Sequence, residues 1–347
     1  MKLLFITRKY PPMIGGMEQV SYHLGEEFKK NLATHIIAWK KSQKWLPWFF
    51  VKALGESFFV IFSKNITHIH LADGLLSPLG VLLKYVTRKK VTVTVHGLDI
   101  IYPNTLYQFF IPRFLKRLDK VICASTATKK ECCDRGISED KCVVIPWGVD
   151  PKEFYIEATR KDLEKFVKSD LQDKKVLVTV GRLIQRKGVC WFLENVFLAL
   201  NDQYVYLIVG SGPDRVKIKK IIYDLHLSAK VFLLGNTLAE ELKIIYNTAD
   251  FLVMPNILVE GDMEGFGIVA IEAGSAGLPV IAADREGIRD VVIDGRTGKL
   301  AANEKIFQDF LNNPPIFNKK EIQRIIEEKF SWSRVAHDYI VQLQNLL

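Results

Sequence analysis

The chain has 347 residues, of which 48% are hydrophobic and 25% are charged. This is the composition of a soluble globular protein that buries a full core, and the length suggests two domains. No apolar run reaches the roughly 18–20 residues that cross a bilayer, so we expect no membrane-spanning segment.

Charge is divided unevenly along the chain. Residues 1–149 contain 22 Lys and Arg against 11 Asp and Glu, a net charge of +11, whereas residues 150–347 contain 26 against 28, a net charge of −2. The basic first half indicates an anionic partner, which could be membrane lipid, nucleic acid or a polyanionic acceptor. The five cysteines form no Cys-x-x-Cys pair, which predicts reduced structural thiols in the cytoplasm.

The chain begins with an apolar strand over residues 2–7, which is too short for a signal peptide. A loop carrying Gly15 and Gly16 follows, and residues 17–30 predict an amphipathic helix. In a doubly wound fold this loop lies at the carboxyl edge of a parallel sheet, where ligands bind. The glycine pair is therefore a candidate binding element, with a plain tight turn as the alternative.

The stretch after the second strand, residues 40–62, mixes bulky rings with basic side chains: Trp45, Trp48, Phe49 and Phe50 among Lys40, Lys41, Lys44 and Lys52. Rings at headgroup depth beside lysines on anionic lipid would suit a membrane interface. A helix whose aromatic side chains pack on the sheet is the alternative. We favour the core for the later part of the stretch, residues 58–62.

Residues 66–71 and 91–95 predict the next strands. His68 and His70 alternate within the first of them, so we expect structural roles for both. His96, followed by Gly97, ends the second at the edge where substrate would bind.

The second half repeats the alternation of strands and helices. The apolar run 175–180 is followed by Arg182 and Lys187. Cations placed after a strand and before a helix form a natural diphosphate clamp. Arg186, between them, is expected to be a solvated charge. A later strand, over residues 204–209, is followed by the Gly-x-Gly that begins at Gly210 and lacks the third glycine of a dinucleotide site. Another strand ends at Asn236, placed to line a base.

Residues 251–283 are the most informative stretch. They predict a buried strand over 251–254, an acidic and glycine-rich loop, a helix over 268–276 and a further strand over 279–283. Glu264 lies at the end of the loop and Glu272 within the helix.

The start of that helix predicts an anion site. Its first N–H groups and its dipole favour a phosphate, and Gly265 and Gly267 allow close approach to the backbone. Two carboxylates nearby can accept hydrogen bonds from hydroxyl groups. A nucleotide sugar fits this combination.

Glu264 and Glu272 are separated by seven residues within Glu-Gly-Phe-Gly-Ile-Val-Ala-Ile-Glu-Ala, and Gly-Leu-Pro-Val280 follows. This combination resembles the donor-site motif of retaining glycosyltransferases of family 4. Two solvated helix carboxylates would not explain the clustered glycines. The resemblance covers nearly the whole chain and is strongest from 175 to 298. The chain departs from the family at Trp147, where the family usually has Asn.

The resemblance implies specific roles. Arg182 and Lys187 would hold the donor diphosphate, Glu272 would accept from the ribose, and Glu264 would accept from the sugar. His96, Arg182, Lys187 and Glu264 are the implied catalytic residues, with His96 contacting the donor sugar or the acceptor pocket. The remaining implied donor-binding residues are Gly15, Gly16, Gly210, Asn236, Gly265, Phe266, Gly267, Ile268 and Val269.

We therefore expect an α/β fold of two doubly wound, Rossmann-like domains facing a cleft, the glycosyltransferase B arrangement. Residues 1–149 would bind the acceptor and residues 150–330 the donor, and a helix within 331–347 would cross back onto the first domain. The implied reaction transfers a hexose, with retention, from a nucleotide diphosphate sugar to a hydroxyl of a lipid-linked glycan, glycolipid or polysaccharide precursor. GDP-mannose is the favoured donor, on a resemblance of the loop 256–263 to phospho-inositol mannosyltransferases, and a UDP-hexose comes next.

The expected partners are the donor, the acceptor and an anionic membrane surface, without nucleic acid, at the inner face of the cell membrane. No Asp-x-Asp is placed like a metal site, so we expect no metal or other cofactor. A sugar-nucleotide epimerase of the same architecture and a non-catalytic nucleotide-sugar binding protein are the alternatives.

Overall fold

The structure is a computed structural model that describes residues 1–12, 15–40, 45–171 and 173–346. Lys41 and Lys44 of the predicted aromatic and basic stretch lie outside the described residues, as does residue 347 at the end of the predicted last helix. The chain forms two compact units. Unit 1 comprises Met1–Gly148 and Trp332–Leu347, and unit 2 comprises Val149–Ser331.

The strands, in chain order, are β1 (Lys2–Thr7), β2 (Ala33–Ala38), β3 (His68–Leu71), β4 (Lys90–Val95), β5 (Lys120–Cys123), β6 (Cys142–Val144), β7 (Lys175–Val180), β8 (Tyr204–Val209), β9 (Val231–Gly235), β10 (Phe251–Met254), β11 (Val280–Ala283) and β12 (Gly298–Ala301).

The α-helices are α1 (Gly16–Asn31), α2 (Leu46–Ser63), α3 (Ser77–Thr87), α4 (Leu98–Ile101), α5 (Thr105–Leu115), α6 (Thr126–Asp134), α7 (Arg160–Val167), α8 (Val189–Asn195), α9 (Arg215–Asp224), α10 (Ala239–Thr248), α11 (Ile268–Ser275), α12 (Ile288–Val291), α13 (Glu304–Asn312), α14 (Lys319–Phe330) and α15 (Trp332–Gln344). Several begin at a polar side chain that accepts from an N–H of the first turn, as Asn104, Ser125, Asn303 and Asn318 do.

Unit 1 contains a parallel sheet of strand order β2-β1-β3-β4-β5-β6. The chain moves one way along the sheet from β1 to β2 and the other way in every later crossover. Because such crossovers are right-handed, α1 lies on one face while α2, α3, α5 and α6 lie on the other. The hydrophobic contacts on the two faces of the sheet are consistent with this arrangement. Leu3 and Phe5 pack with α1 and α15, and Leu4 and Ile6 pack with α2, α3 and α5.

Unit 2 contains a second parallel sheet, of order β12-β11-β10-β7-β8-β9. The chain runs outward through β7, β8 and β9 and then returns to the other side of β7 with β10. The order therefore reverses between β7 and β10, which pair through Leu177 and Phe251. Loops that leave a parallel sheet at such a reversal diverge and leave room for a ligand. The loops with the implied catalytic residues of unit 2 follow these two strands.

One helix differs from the sequence-based expectation. We predicted no membrane-spanning segment, yet α2 has 18 residues and is long and apolar enough, by length and composition, to cross a membrane. Lys52 and Glu56 interrupt its apolar residues without making the helix polar. Just over a quarter of this stretch is buried.

Candidate functional site

The implied site residues of unit 2 lie on the two loops that leave β7 and β10. Backbone contact joins these loops, because Ile257 donates an N–H to the Arg186 carbonyl at 2.9 Å. Gly188 makes the approach possible: its φ is +68°, and a Cβ there would lie 1.9 Å from the Pro255 carbonyl oxygen. The close contact of the loops directs Arg186 and Lys187 toward Glu264.

The Glu264 carboxylate is the centre of a buried polar cluster. Its Oε2 atom accepts from Lys187 Nζ at 2.5 Å, from Arg186 Nη1 at 2.5 Å and from Asn256 Nδ2 at 2.9 Å. Burial alone would raise the pKa of Glu264, but the charges of Lys187 and Arg186 outweigh it and lower the pKa to about 2. Glu264 is therefore a carboxylate at neutral pH and keeps an acceptor for a ligand hydroxyl.

Arg186 corrects a prediction. We expected a solvated charge, but the residue is only 5% exposed. Its guanidinium pairs with Glu264 and lies 3.0 Å from Asp262 Oδ1. The turn Gln185–Lys187 directs the side chain inward, and these two carboxylates compensate the buried charge.

Glu272, on α11, has a different environment. Burial raises its pKa to about 7, and a hydrogen bond of 3.1 Å from Tyr246 opposes that rise only in part. Near neutral pH the Glu272 carboxyl is thus poised between its protonated and ionised forms, while Glu264 is ionised. Carboxyl groups with perturbed pKa values are typical of functional sites.

The start of α11 has the geometry predicted for an anion site. Gly267 precedes the helix with φ +90°, a conformation that favours glycine. The first bond of the helix backbone is from Ala270 N–H to Gly267 O at 2.9 Å. Within the described residues, the N–H groups of Ile268 and Val269 have no acceptor, and such groups bind anions. The side chain of Phe266 is buried against Phe330, so this residue offers a ligand only its backbone.

Arg182 and Asn236 are both exposed at the carboxyl edge of the sheet. Arg182 follows β7 and has no ion-pair partner among the residues described. Asn236 follows the edge strand β9. Gly210, after β8, has φ +124°, and a Cβ there would lie 1.9 Å from the Gly181 carbonyl oxygen. Close backbone packing between the ends of β7 and β8 therefore explains why glycine occupies this position.

His96, in unit 1, uses both ring nitrogens internally. Nε2 lies 2.7 Å from the Ala72 carbonyl and must donate, so Nδ1 accepts from the Trp147 indole at 3.0 Å. A hydrogen bond from a ring nitrogen to a sugar would require one of these to break. Gly16 lies beside Trp147, since a Cβ there would be 3.6 Å from the indole, and Gly15 adjoins Glu18.

Sequence reasoning missed four residues of these clusters: Asn256, Asp262, Tyr246 and Trp147 as a partner of His96. Asn256 had a detectable signal, because it follows the end of β10 by two residues. No pattern pairs Tyr246 with Glu272 or Trp147 with His96. In the described residues, no group of three or more His, Cys, Asp or Glu side chains could hold a metal ion.

Known proteins share both the sequence and the fold. Residues 161–316 match the family "Glycosyl transferases group 1", and residues 14–153 match "Glycosyltransferase Family 4". An uncharacterized glycosyltransferase of Methanocaldococcus jannaschii is 25% identical over 98% of this chain and 97% of its own length. A GDP-mannose-dependent alpha-(1-6)-phosphatidylinositol monomannoside mannosyltransferase of Mycobacterium tuberculosis is 32% identical, over 44% of this chain and 41% of its own length.

A solved structure of similar fold is that of HepE from Anabaena in complex with UDP. It has a TM-score of 0.78 and 17% identity, with 99% of this chain and all of that one covered. The two parallel six-stranded sheets with their helices are the α/β architecture of that neighbour. The chain therefore belongs to the family 4 glycosyltransferases, enzymes of the glycosyltransferase B fold that use a nucleotide sugar.

Proposed function

We propose that the protein transfers a hexose, with retention of anomeric configuration, from a nucleotide diphosphate sugar bound by unit 2. The observation that carries this proposal is the cluster in which Lys187 and Arg186, on the loop after β7, contact Glu264. Glu264 lies on the loop whose end forms the N-terminus of α11. Cations, unpaired N–H groups and an ionised carboxylate match the diphosphate and the hydroxyls of such a donor.

In this proposal the chain's own groups stabilise the leaving diphosphate. The bond from the anomeric carbon to the phosphate oxygen breaks, and a bond from that carbon to the acceptor oxygen forms as the acceptor hydroxyl gives its proton to an oxygen of the departing diphosphate. Arg182, Lys187 and the first turn of α11 would compensate the charge that develops on the diphosphate. We propose that these groups suffice without a metal ion, and activity that is unchanged by a chelator would support this.

Glu264 and Glu272 would orient the donor. With Lys187 shared between Glu264 and the diphosphate, the carboxylate would accept from the sugar hydroxyls. Glu272, in its ionised form, would accept from the ribose hydroxyls, with Tyr246 holding its other side. Asn236 and Gly210 would line the nucleotide, and Gly15, Gly16 and His96 would act from unit 1.

GDP-mannose is our favoured donor, and a UDP-hexose is second. The mycobacterial relative, described as GDP-mannose-dependent, supports the first choice. The Anabaena structure in complex with UDP supports the second. For the acceptor we propose a lipid-linked glycan, a glycolipid or a polysaccharide precursor, reached at the inner face of the cell membrane.

A panel of nucleotide sugars tests the proposal. Purified protein is incubated with each one, and release of the nucleoside diphosphate is measured with and without glycan acceptors. We expect one donor to be consumed faster than the others and the product linkage to keep the donor's anomeric configuration by NMR. Conversion of a donor to its epimer without transfer would instead identify an epimerase, and binding without turnover of any donor would indicate a binding protein.

Arg182→Ala checks the diphosphate clamp within the same assay. Loss of a charged hydrogen bond should weaken nucleoside diphosphate binding by about 1.5–3 kcal/mol in calorimetry. Stability should change by less than about 0.5 kcal/mol, because the side chain is exposed. Arg324→Ala, an exposed arginine of α14, is the matched control and should leave affinity unchanged. Equal affinities in both variants would remove Arg182 from the site.

A further inference from the structure

Three helices of unit 1 form a continuous layer on one face of its sheet. The crossovers place α2, α3 and α5 on that face in this order, because β3, β4 and β5 follow one another across the sheet. Neighbouring helices touch, α2 with α3 and α3 with α5. We call these helices, with Trp45 before α2, the apolar layer.

The solvent side of the apolar layer carries bulky hydrophobic side chains. On α2 they recur at helical spacing, with Trp48, Val51, Phe59 and Phe62 each at least 63% exposed. The expectation that residues 58–62 belong to the core is therefore wrong for Phe59 and Phe62, which lie on the solvent side of the helix, whereas Val60 and Ile61 are buried. The other two helices continue the surface. The exposed side chains there are Leu82, Tyr85 and Val86 on α3 and Leu106, Phe109 and Phe110 on α5. More than half of the exposed large hydrophobic side chains of the described chain lie on this one layer.

The charge of the apolar layer is predominantly positive. Glu56 is the single carboxylate on the three helices, whose sequences are fully described. Basic residues lie on the helices and at their ends, namely Lys52, Lys64, Lys84, Arg88, Lys89, Lys90, Arg113, Lys116 and Arg117. Among the flanking residues Asp119, beyond α5, is a carboxylate that pairs with Lys84 and Lys90. The Arg113 guanidinium lies 3.7 Å from the centre of the Phe109 ring, so ring and cation share one surface.

The inner side of α2 determines how a membrane could meet it. Phe49, Ala53, Val60 and Ile61 are buried against the sheet. A helix that left the sheet to span a bilayer would expose these side chains and the core beneath them. The layer can therefore lie flat at a bilayer surface, with the outer rings at headgroup depth and the cations on phosphates.

We propose that the apolar layer is a docking surface for an anionic lipid bilayer, which holds unit 1 peripherally on the membrane. The choice of a bilayer rests on the proposed function, in which the acceptor is carried by a lipid. Charge complementarity points the same way, since a surface of exposed rings on which cations outnumber carboxylates fits anionic headgroups.

Vesicle sedimentation tests the proposal. The full chain is mixed with vesicles of phosphatidylcholine alone or of phosphatidylcholine with phosphatidylglycerol, at low and high salt. We expect binding to the anionic vesicles, little to the neutral ones, and partial release by salt, because salt screens the charges and leaves the apolar contacts. Blue-shifted tryptophan emission on binding should report burial of the exposed Trp45 and Trp48.

Paired variants locate the surface. F59S/F62S should lower the partition coefficient on anionic vesicles at least about tenfold, since two exposed rings lose their burial in lipid. V216S/Y223S, which removes two equally exposed side chains from α9 of unit 2, is the matched control and should bind as the wild type does. R113Q/R117Q should weaken binding at low salt by about fivefold for each charge removed and should have little effect at high salt.

Three results would overturn the proposal. The first is wild-type protein that remains in the supernatant with anionic vesicles at low salt, and the second is an F59S/F62S variant that binds as the control does. The third is a wild-type dimer in size-exclusion chromatography that F59S/F62S dissociates without any vesicle binding, since a second copy would then cover the layer. Nucleoside diphosphate binding, measured on the same variants, should be unchanged. Its absence from the wild type would contradict the proposed function and leave the docking surface standing.

Discussion

At the scale of single residues, two glutamates of unit 2 are held in different protonation states by their neighbours. The cations of Arg186 and Lys187 outweigh burial at Glu264, whereas at Glu272 burial outweighs the Tyr246 hydroxyl and the charge of Lys187. Glu264 therefore stays ionised from acid to alkaline conditions. Glu272 changes its protonation state near neutral pH and, in the ribose contact that we propose, would couple donor binding to pH.

Glu272→Gln should remove part of the pH dependence of stability. The folded protein has a Glu272 pKa raised to about 7, so it binds a proton between the usual pKa of a glutamate and that value, where the unfolded chain does not. The free energy of unfolding therefore falls as pH rises through this window. Relative to the wild type, the free energy of unfolding of Glu272→Gln should increase by up to about 2–3 kcal/mol as pH rises from about 5 to 8. Denaturant titrations at each pH measure this difference.

The same substitution separates stability from binding. Ribose hydroxyls donate to the carboxylate form, so the wild type should bind nucleoside diphosphate more tightly as pH rises through about 7. Glu272→Gln should bind the nucleoside diphosphate more weakly and without this rise in affinity with pH. The titration of the ligand itself affects both proteins equally. Parallel pH profiles of wild type and variant in calorimetry would exclude Glu272 from the ribose site.

At the scale of elements, the site depends on contact between two loops that are far apart in sequence. Gly188, before α8, lies directly against the carbonyl of Pro255, after β10. This contact allows the turn before α8 to place both of its cations on Glu264. The helices and strands hold the two loops at the edge of the sheet. The positions of the two cations are set by the close contact of the Gly188 backbone with the Pro255 carbonyl.

Gly188→Ala should separate the two loops. The substitution meets the Pro255 oxygen at 1.9 Å and also requires φ +68°, so two costs combine. Gly295→Ala is the matched control, because Gly295 has φ +75° and nothing within 4 Å of its Cβ position. We expect about 1 kcal/mol of destabilisation from the control, for the backbone alone, and a clearly larger loss from Gly188→Ala by thermal unfolding. Nucleoside diphosphate affinity should fall in Gly188→Ala and stay unchanged in Gly295→Ala.

Contacts of this kind also mark the limit of what the sequence could predict. Strands β7 and β8 were predicted to the residue, because each is an apolar run between polar residues. Strand β12 was missed, since Gly298–Ala301 is a short edge strand with a lysine in it. The burial of Arg186 depends on Glu264, which lies 78 residues away, and no local periodicity reports such a pairing. The candidate clamp could be predicted because the placement of charges and glycines is local. The position of Asn256 after β10 was a usable signal, whereas no pattern indicated Tyr246, which lies on a separate helix.

At the scale of the whole molecule, the chain passes between units twice, and its last helix completes the first unit. Trp332 stacks on His23 of α1 with ring centres 5.3 Å apart, and its ring lies over Gly148. Further along α15, Tyr339 is 1% exposed and hydrogen-bonds Thr94 of β4 at 3.0 Å. Helix α15 therefore packs beside α1 on the same face of the unit 1 sheet, so the core of unit 1 is built from both ends of the chain.

Substitutions at Tyr339 should show that this helix stabilises unit 1 alone. Tyr339→Ala removes a buried ring that packs on Phe28 and His70 and should cost about 3–5 kcal/mol. Tyr339→Phe keeps the ring and removes only the hydrogen bond to Thr94, so about 1 kcal/mol should be lost. In calorimetric unfolding, the nucleoside diphosphate identifies the transition of unit 2 because it raises that Tm by binding. We expect the other transition to fall strongly in Tyr339→Ala and slightly in Tyr339→Phe, with the ligand-shifted one unchanged. If both transitions fell together in Tyr339→Ala, the two units would unfold as one cooperative body, and the assignment of α15 to the stability of unit 1 alone would be wrong.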